Sequence, residues 1–204
     1  MSDPVAPRHA ASLLVLRPAP GDRAPSDPDV LMGLRGAGHK FMPNRLVFPG
    51  GAVDAEDHAA PAASPLRPDV LRRLTASADP SLATALAVAA ARELFEETGL
   101  TLGDPPHLSG LDYLCRAVTP PTSPIRFDAR FFVVDAAAVS GTLAGSGELE
   151  DLRWFAVSEA LALDIAAATR GVLERLAEWL DMPPARRAGR TRTPVMFSRV
   201  WREE

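Results

Sequence analysis

The stretch Arg92-Glu93-Leu94-Phe95-Glu96-Glu97-Thr98-Gly99-Leu100 decides how this chain is read. At 3.6 residues per turn, Glu93, Glu96 and Glu97 fall within an arc of roughly 100°, so three carboxylates share one helix face. Like charges at that spacing destabilise a bare helix by about a few tenths of a kcal/mol per pair. Arg92 reaches Glu96 one turn on, but one guanidinium cannot neutralise three acids, and a divalent cation can. Carboxylate oxygens are hard ligands. With no cysteine nearby and no histidine on the helix, they favour Mg²⁺ or Mn²⁺ over zinc. Taken alone, such a cluster also fits a solvated, salt-bridged helix face.

The helix that carries these acids is punctuated at both ends. Asp79 is placed as its N-cap with Pro80 at the first helical position, and no Gly or Pro follows until Gly99 stops it. The run Ala83 to Ala91 has high helix propensity and small side chains, which lets a sheet approach closely. Upstream, Ala11 to Leu16 and Val30 to Leu34 read as strands. A third, Leu46 to Phe48, stops at Pro49-Gly50-Gly51, where the glycines permit left-handed backbone. Residues 54 to 78 read as an insertion with one short amphipathic helix around Val70, Leu71 and Leu74. Downstream lie strands Leu111 to Val118, Arg126 to Val134 and Leu149 to Phe155, then a short helix capped by Ser158 and an amphipathic helix from about Ile165 to Leu180. Strands, a central helix, more strands and more helices predict an α/β protein with a mixed sheet between helical layers.

Composition narrows the function. The 204 residues carry a net charge of −4, which excludes a generally basic nucleic-acid coat and leaves local patches only. Cys115 is the single cysteine, so neither an intramolecular disulfide nor a multi-cysteine zinc site can form, and a reducing compartment fits best. The N-terminus lacks a secretory pattern and no apolar run approaches the roughly 20 residues that span a bilayer, so a cytoplasmic protein without membrane partners is expected.

The chain resembles the Nudix hydrolases, whose box runs Gly, five residues, Glu, seven residues, then Arg-Glu-apolar-x-Glu-Glu-x-Gly-apolar. Arg92 to Leu100 match the second half at every specified position, and Phe48-Pro49-Gly50-Gly51 match the usual lead-in. The first half departs. Five residues after Gly51 stands Asp57 rather than Glu, and 34 residues rather than seven separate it from Arg92. A long insertion inside the box resembles the subgroup of the animal peroxisomal coenzyme A diphosphatase. Further similarity lies in Arg126 to Phe132 and in Glu150 to Leu161. The resemblance covers roughly residues 11 to 180, giving a domain over 11–182 with its insertion at about 58–80, a flexible N-terminus over 1–10 and an Arg-rich tail over 183–204.

The resemblance implies an α/β/α sandwich and divalent-metal-dependent hydrolysis of a nucleoside diphosphate linked to another group. Glu96 and Glu97 would be metal ligands, Glu93 a ligand or base, and Arg92 would orient the glutamates. Gly51 would bring backbone groups to the metal, with the role of Asp57 open. The general base is expected at Glu148 or Glu150, where solvated acids at a strand start are the alternative. Arg35 and Arg45 are candidates for holding phosphate. Coenzyme A or its acyl esters follow from the subgroup alone; ADP-ribose or NADH is the second choice, and an inactive nucleotide-binding regulatory module a third. His9, His39, His58 and His107 lack metal-ligand spacing, and Cys115 reads as a small buried hydrophobe. The tail carries Arg186, Arg187, Arg190, Arg192, Arg199 and Arg202 without an acid among them. It suits a clamp on an anionic substrate, a contact across a homodimer, or plain solvation.

Overall fold

In the computed structural model, which describes residues 5–36, 45–145 and 147–204, strand β1 (Arg8–Arg17) is buried on both faces. Ala11, Leu13 and Val15 join one hydrophobic cluster, Leu14 and Leu16 the other. A strand with no solvent face belongs in the interior of a sheet covered on both sides. After it come β2 (Asp29–Arg35), β3 (Leu46–Val47) and β4 (Gly50–Ala52). Helices α1 (Pro68–Leu74) and α2 (Pro80–Thr98) follow, then β5 (Leu100–Thr101), β6 (Asp112–Val118), β7 (Phe127–Asp135), β8 (Ser140–Gly141) and β9 (Leu149–Ala156). The chain finishes with α3 (Val157–Ala162), α4 (Ala167–Asp181), α5 (Pro184–Ala188), β10 (Pro194–Phe197) and β11 (Val200–Glu203). His39 and the residues from Lys40 to Asn44 lie outside the described residues.

One mixed sheet runs β11-β10-β6-β7-β1-β2-β3, with β4 on β1 and β9 on β2. Strand β1 is parallel to β7 along its whole length, from Arg8 beside Phe127 to Leu16 beside Asp135. On its other edge β1 meets β2 only at Leu16 and Arg17. Further along, the two diverge, and the segment 46–52 fills the gap: β3 pairs with Gly33 and Leu34, and β4 with Ala10, Ala11 and Ser12. The wedge is closed by the Leu13 amide donating to the Pro49 carbonyl at 2.9 Å. Helices α1 and α2 cover one face and α3 and α4 the other, so the layers are α/β/α. No helix among the described residues is long and apolar enough to cross a membrane.

Helix α2 forms where capping and propensity place it. The Asp79 side chain accepts from the Leu82 amide at 2.9 Å, a bond worth about 1 kcal/mol. Gly99, at φ 71°, ends the helix in the left-handed region, and its amide donates to Phe95. Leu86, Ala87, Ala90 and Leu94 are buried against the sheet, and the alanines set the close approach.

Four expectations change in detail. Gly50 and Gly51 are not a turn but part of strand β4, with Gly50 at the positive φ of 156° that the glycine pair is expected to allow. Ser158 caps nothing with its own side chain. It lies inside α3, and its amide and hydroxyl both donate to the Asp27 carboxylate, at 2.9 and 2.7 Å. The first strand begins at Arg8, inside the expected flexible terminus. The C-terminal residues join the sheet: β10 runs parallel to β6, with Val195 beside Arg116, and β11 returns antiparallel to it. Their arginines serve the fold. Arg190 donates to Asp112 and to the carbonyls of Tyr113 and Leu114, and Arg187 stacks 4.0 Å from the centre of the Trp179 ring.

Candidate active site

The second half of α2 turns its acidic face toward the wedge in the sheet. Arg92 is the hub. Its Nε and Nη2 donate to the two oxygens of Asp57, each at 3.0 Å, in a bidentate pair. Nη1 donates to Glu93 Oε1 and Glu96 Oε2, both at 2.9 Å, and Nη2 also reaches the Ala52 carbonyl at 3.0 Å. Asp57 is 2% exposed and accepts the Asp54 amide at 2.8 Å as well. The residue left open by the sequence therefore anchors the guanidinium that orients Glu93 and Glu96. An aspartate reaches because the short helical turn at Glu56–His58 carries it against α2. The insertion then leaves by way of α1 and returns at Asp79 without disturbing that contact.

Glu97 faces the wedge itself. It is 3% exposed, and its Oε2 accepts the Gly50 amide at 2.8 Å. Burial pushes its carboxyl up to about 8, against the Gly50 bond and with help from the charge of Glu93. Burial also raises Glu93, with Arg92 opposing. Gly51 makes room for an acid: a Cβ there would meet Glu93 Oε1 at 2.2 Å and displace the carboxylate. Two buried or half-buried carboxylates, both resisting ionisation, thus lie against a backbone strand that has no side chains to screen them. Their oxygen chemistry fits a hard divalent cation. Among the described residues no three His, Cys, Asp or Glu side chains already converge on a common point. Glu96 is turned instead to Arg92.

The other side of that strand is open. A cleft of about 340 Å³ is lined by Gly50, Gly51, Arg35, Phe48, Phe131 and Thr169, among others. Gly50 and Gly51 therefore separate the acids from the cleft by backbone alone. Arg35 Nη2 lies 3.5 Å from the Gly50 carbonyl, and its charge favours the ionised form of Glu97. Arg45 lies beside Arg35, its carbonyl accepting the Arg35 amide at 3.0 Å, but its side chain pairs with Asp164 at 3.7 Å on the surface. Of the two downstream acids, Glu148 is exposed and its negative charge is felt at both Glu93 and Glu97. Glu150 is paired with Leu34 on β9 and exposed. Thr169 carries no sequence signal for a site, and Phe48 and Phe131, though they fall in stretches that resemble the family, look like ordinary strand residues until the sheet brings the three together. His9, His58 and Cys115 stay outside this arrangement: His58 bonds Ser81, His9 faces Asp128 and Arg130, and Cys115 is fully buried, its thiol raised by burial.

Residues 83–176 match the NUDIX domain family model. A NUDIX hydrolase from Alicyclobacillus acidocaldarius is 28% identical and superposes with a TM-score of 0.63, over 85% of this chain and 92% of that one. The NUDIX domain of Shewanella oneidensis NrtR, determined with ADP ribose, is 16% identical with a TM-score of 0.52 over 86% and 90%, a likeness of fold. The chain carries a Nudix domain in the Nudix α/β/α fold. An acyl-coenzyme A diphosphatase of Gallus gallus is 45% identical over 58 residues. That match spans 26% of this chain and only 15% of the relative's length.

Proposed function

We propose that the protein is a divalent-metal-dependent pyrophosphohydrolase acting on a nucleoside diphosphate joined to a second group, with coenzyme A or its acyl esters as the substrate class. One observation carries the hydrolase reading: Glu93 and Glu97, the latter nearly inaccessible, press on the Gly50-Gly51 strand whose opposite side lines the cleft. A purely structural helix face would be solvated, and a binding module would gain nothing from two carboxylates held against their own ionisation. The coenzyme A part is supported by the insertion inside the box and by the partial likeness to the avian acyl-coenzyme A diphosphatase.

Glu97, Glu93 and Glu96 would hold Mg²⁺ or Mn²⁺, helped by backbone oxygen from the Gly51 strand. When bound, such an ion neutralises phosphate oxygens and acidifies a water for in-line attack. The chain's own contributions are positional. Asp57 fixes Arg92, Arg92 fixes Glu93 and Glu96, and the Gly50 amide fixes Glu97. Arg35 meets the negative charge of the diphosphate at the mouth of the cleft. Glu148, exposed and within electrostatic reach of Glu93 and Glu97, takes the proton from the attacking water.

The test is turnover of coenzyme A, acyl-coenzyme A, ADP-ribose and NADH with Mg²⁺ or Mn²⁺, products identified by mass spectrometry. Cleavage at the diphosphate is expected, and Glu97→Gln is expected to lower kcat by about 10³-fold with the fold intact. Turnover of none of the four sinks the hydrolase reading, and an unchanged Glu97→Gln enzyme sinks the metal assignment.

A further inference from the structure

The cleft beside Gly50 and Gly51 does not end at the sheet. Ala117, Thr119 and Ala168 line it and also line a second chamber of about 540 Å³. The C-terminal hairpin builds that chamber's remaining side: β10 lies on β6 and contributes Met196, while β11 contributes Trp201. Gly171 of α4 makes room for the indole, since a Cβ there would lie 3.1 Å from Trp201 Cζ2. Both volumes are of the size that small-molecule sites occupy.

The lining chemistry is specific about what could enter. Ala166, Ala167, Val118, Pro120, Met196 and Trp201 make it mainly apolar. The charged residues there do not form a cluster of free cations. Arg170 donates to the carbonyls of Leu161 and Leu163, at 2.7 and 2.9 Å, and Arg199 shares the rim with Glu174. A base sandwich is disfavoured because Arg175 stacks over the Trp201 ring, 5.2 Å from its centre. What remains is an apolar trough continuous with the cleft that adjoins the acids.

We infer that the chamber between the C-terminal hairpin and α4 is the subsite for an apolar acyl chain, so that the hairpin sets the length preference of the enzyme. The inference rests on the acyl-coenzyme A reading for its substrate, but not for the existence of the subsite. A cleft leading from the diphosphate into an alanine- and methionine-lined trough rewards each methylene that leaves water. A fully buried methylene is worth about fourfold in binding, and a half-open trough captures part of that.

Two measurements test it. In the first, kcat/KM is followed along acetyl-, butanoyl-, octanoyl- and dodecanoyl-coenzyme A. A rise of roughly tenfold is expected along the series, lost in Met196→Gln and kept in Met196→Leu. In the second, 11-(dansylamino)undecanoic acid, which has no diphosphate, is titrated in the absence of nucleotide. Saturable energy transfer is expected in the wild type, at least tenfold weaker binding in Met196→Gln, and loss of transfer in Trp201→Phe. Coenzyme A turnover with a flat length series and no probe binding would overturn the inference and leave the substrate reading standing. Should no coenzyme A ester turn over, that reading fails, and the probe alone decides: binding lost in Met196→Gln supports the subsite, and absence of binding overturns it.

Discussion

Two clusters in this protein are built from the same residue types and differ in charge balance. Around Arg92 stand Asp54, Asp57, Glu93 and Glu96, four acids within 3.6 Å of one guanidinium, with Glu97 one turn further on. Across the sheet Asp128 is held by Arg116, at 2.7 and 2.9 Å, and by Arg130 at 2.8 Å, with Glu204 completing the set on Arg116. The second cluster is closed: its charges answer one another, and Arg130 is 0% exposed. The first has a surplus of negative charge next to a cleft. Residue type does not tell the two clusters apart; the uncompensated charge does.

The largest expected effect separates the clusters by what they sustain. Arg130→Met leaves Asp128 with one partner fewer and should cost about 3–5 kcal/mol in urea unfolding, while kcat of the folded fraction stays within about twofold. Comparable loss of activity and stability in that variant would erase the distinction. Arg92→Lys should do the reverse. It keeps the charge but not the fork that spans Asp57, Glu93 and Glu96, so kcat/KM should fall by about 100-fold with a stability loss near 1 kcal/mol. Unaltered kinetics would mean that Arg92 does not orient the glutamates.

The pH dependence should sharpen the contrast, because the two clusters have opposite slopes. Glu97 is held by burial at about 8, above the unfolded carboxylate value, so the native state keeps a proton that the unfolded chain releases. Without metal its contribution to stability is present below about pH 4.5 and is lost as pH rises toward 8. Glu97→Gln should flatten that decline. At pH 8, Mg²⁺ at about a hundred times its dissociation constant should restore about 2–3 kcal/mol in the wild type and nothing in Glu97→Gln. Asp128 behaves the other way. Burial opposes its ionisation, yet the Arg116 bonds and the Arg130 charge outweigh it and hold the carboxyl below its ordinary value. Its contribution is complete above about pH 4 and is lost as pH falls through the depressed value, so the protein should unfold at lower urea at pH 3 than at pH 5. The smallest effect belongs to Arg45→Ala, whose exposed pair with Asp164 should leave stability within about 0.5 kcal/mol and activity unchanged. A larger activity loss would return Arg45 to the phosphate.

The sequence alone determined the acidic helix, its Asp79 start and Gly99 stop, the strands beside it and the α/β class. These follow from capping, propensity and hydrophobic period, which are free energies of residues a few positions apart. It also located three carboxylates on one face. Only the tertiary structure decided what surrounds them. Asp57 serves Arg92 because a short turn returns it to α2 across 35 positions, and Gly50 and Gly51 matter as backbone between acids and cleft rather than as a turn. The Arg35 side chain reaches the site and that of Arg45 goes to Asp164, although the Arg35 amide donates to the Arg45 carbonyl at 3.0 Å; the direction of each side chain from the paired backbones makes the difference. The arginine-rich tail becomes two strands and the wall of a chamber, since whether those residues pair with β6 or stay in water depends on an edge more than 70 residues away. Such outcomes turn on long-range pairing and the sharing of charge across it, and no local pattern encodes either.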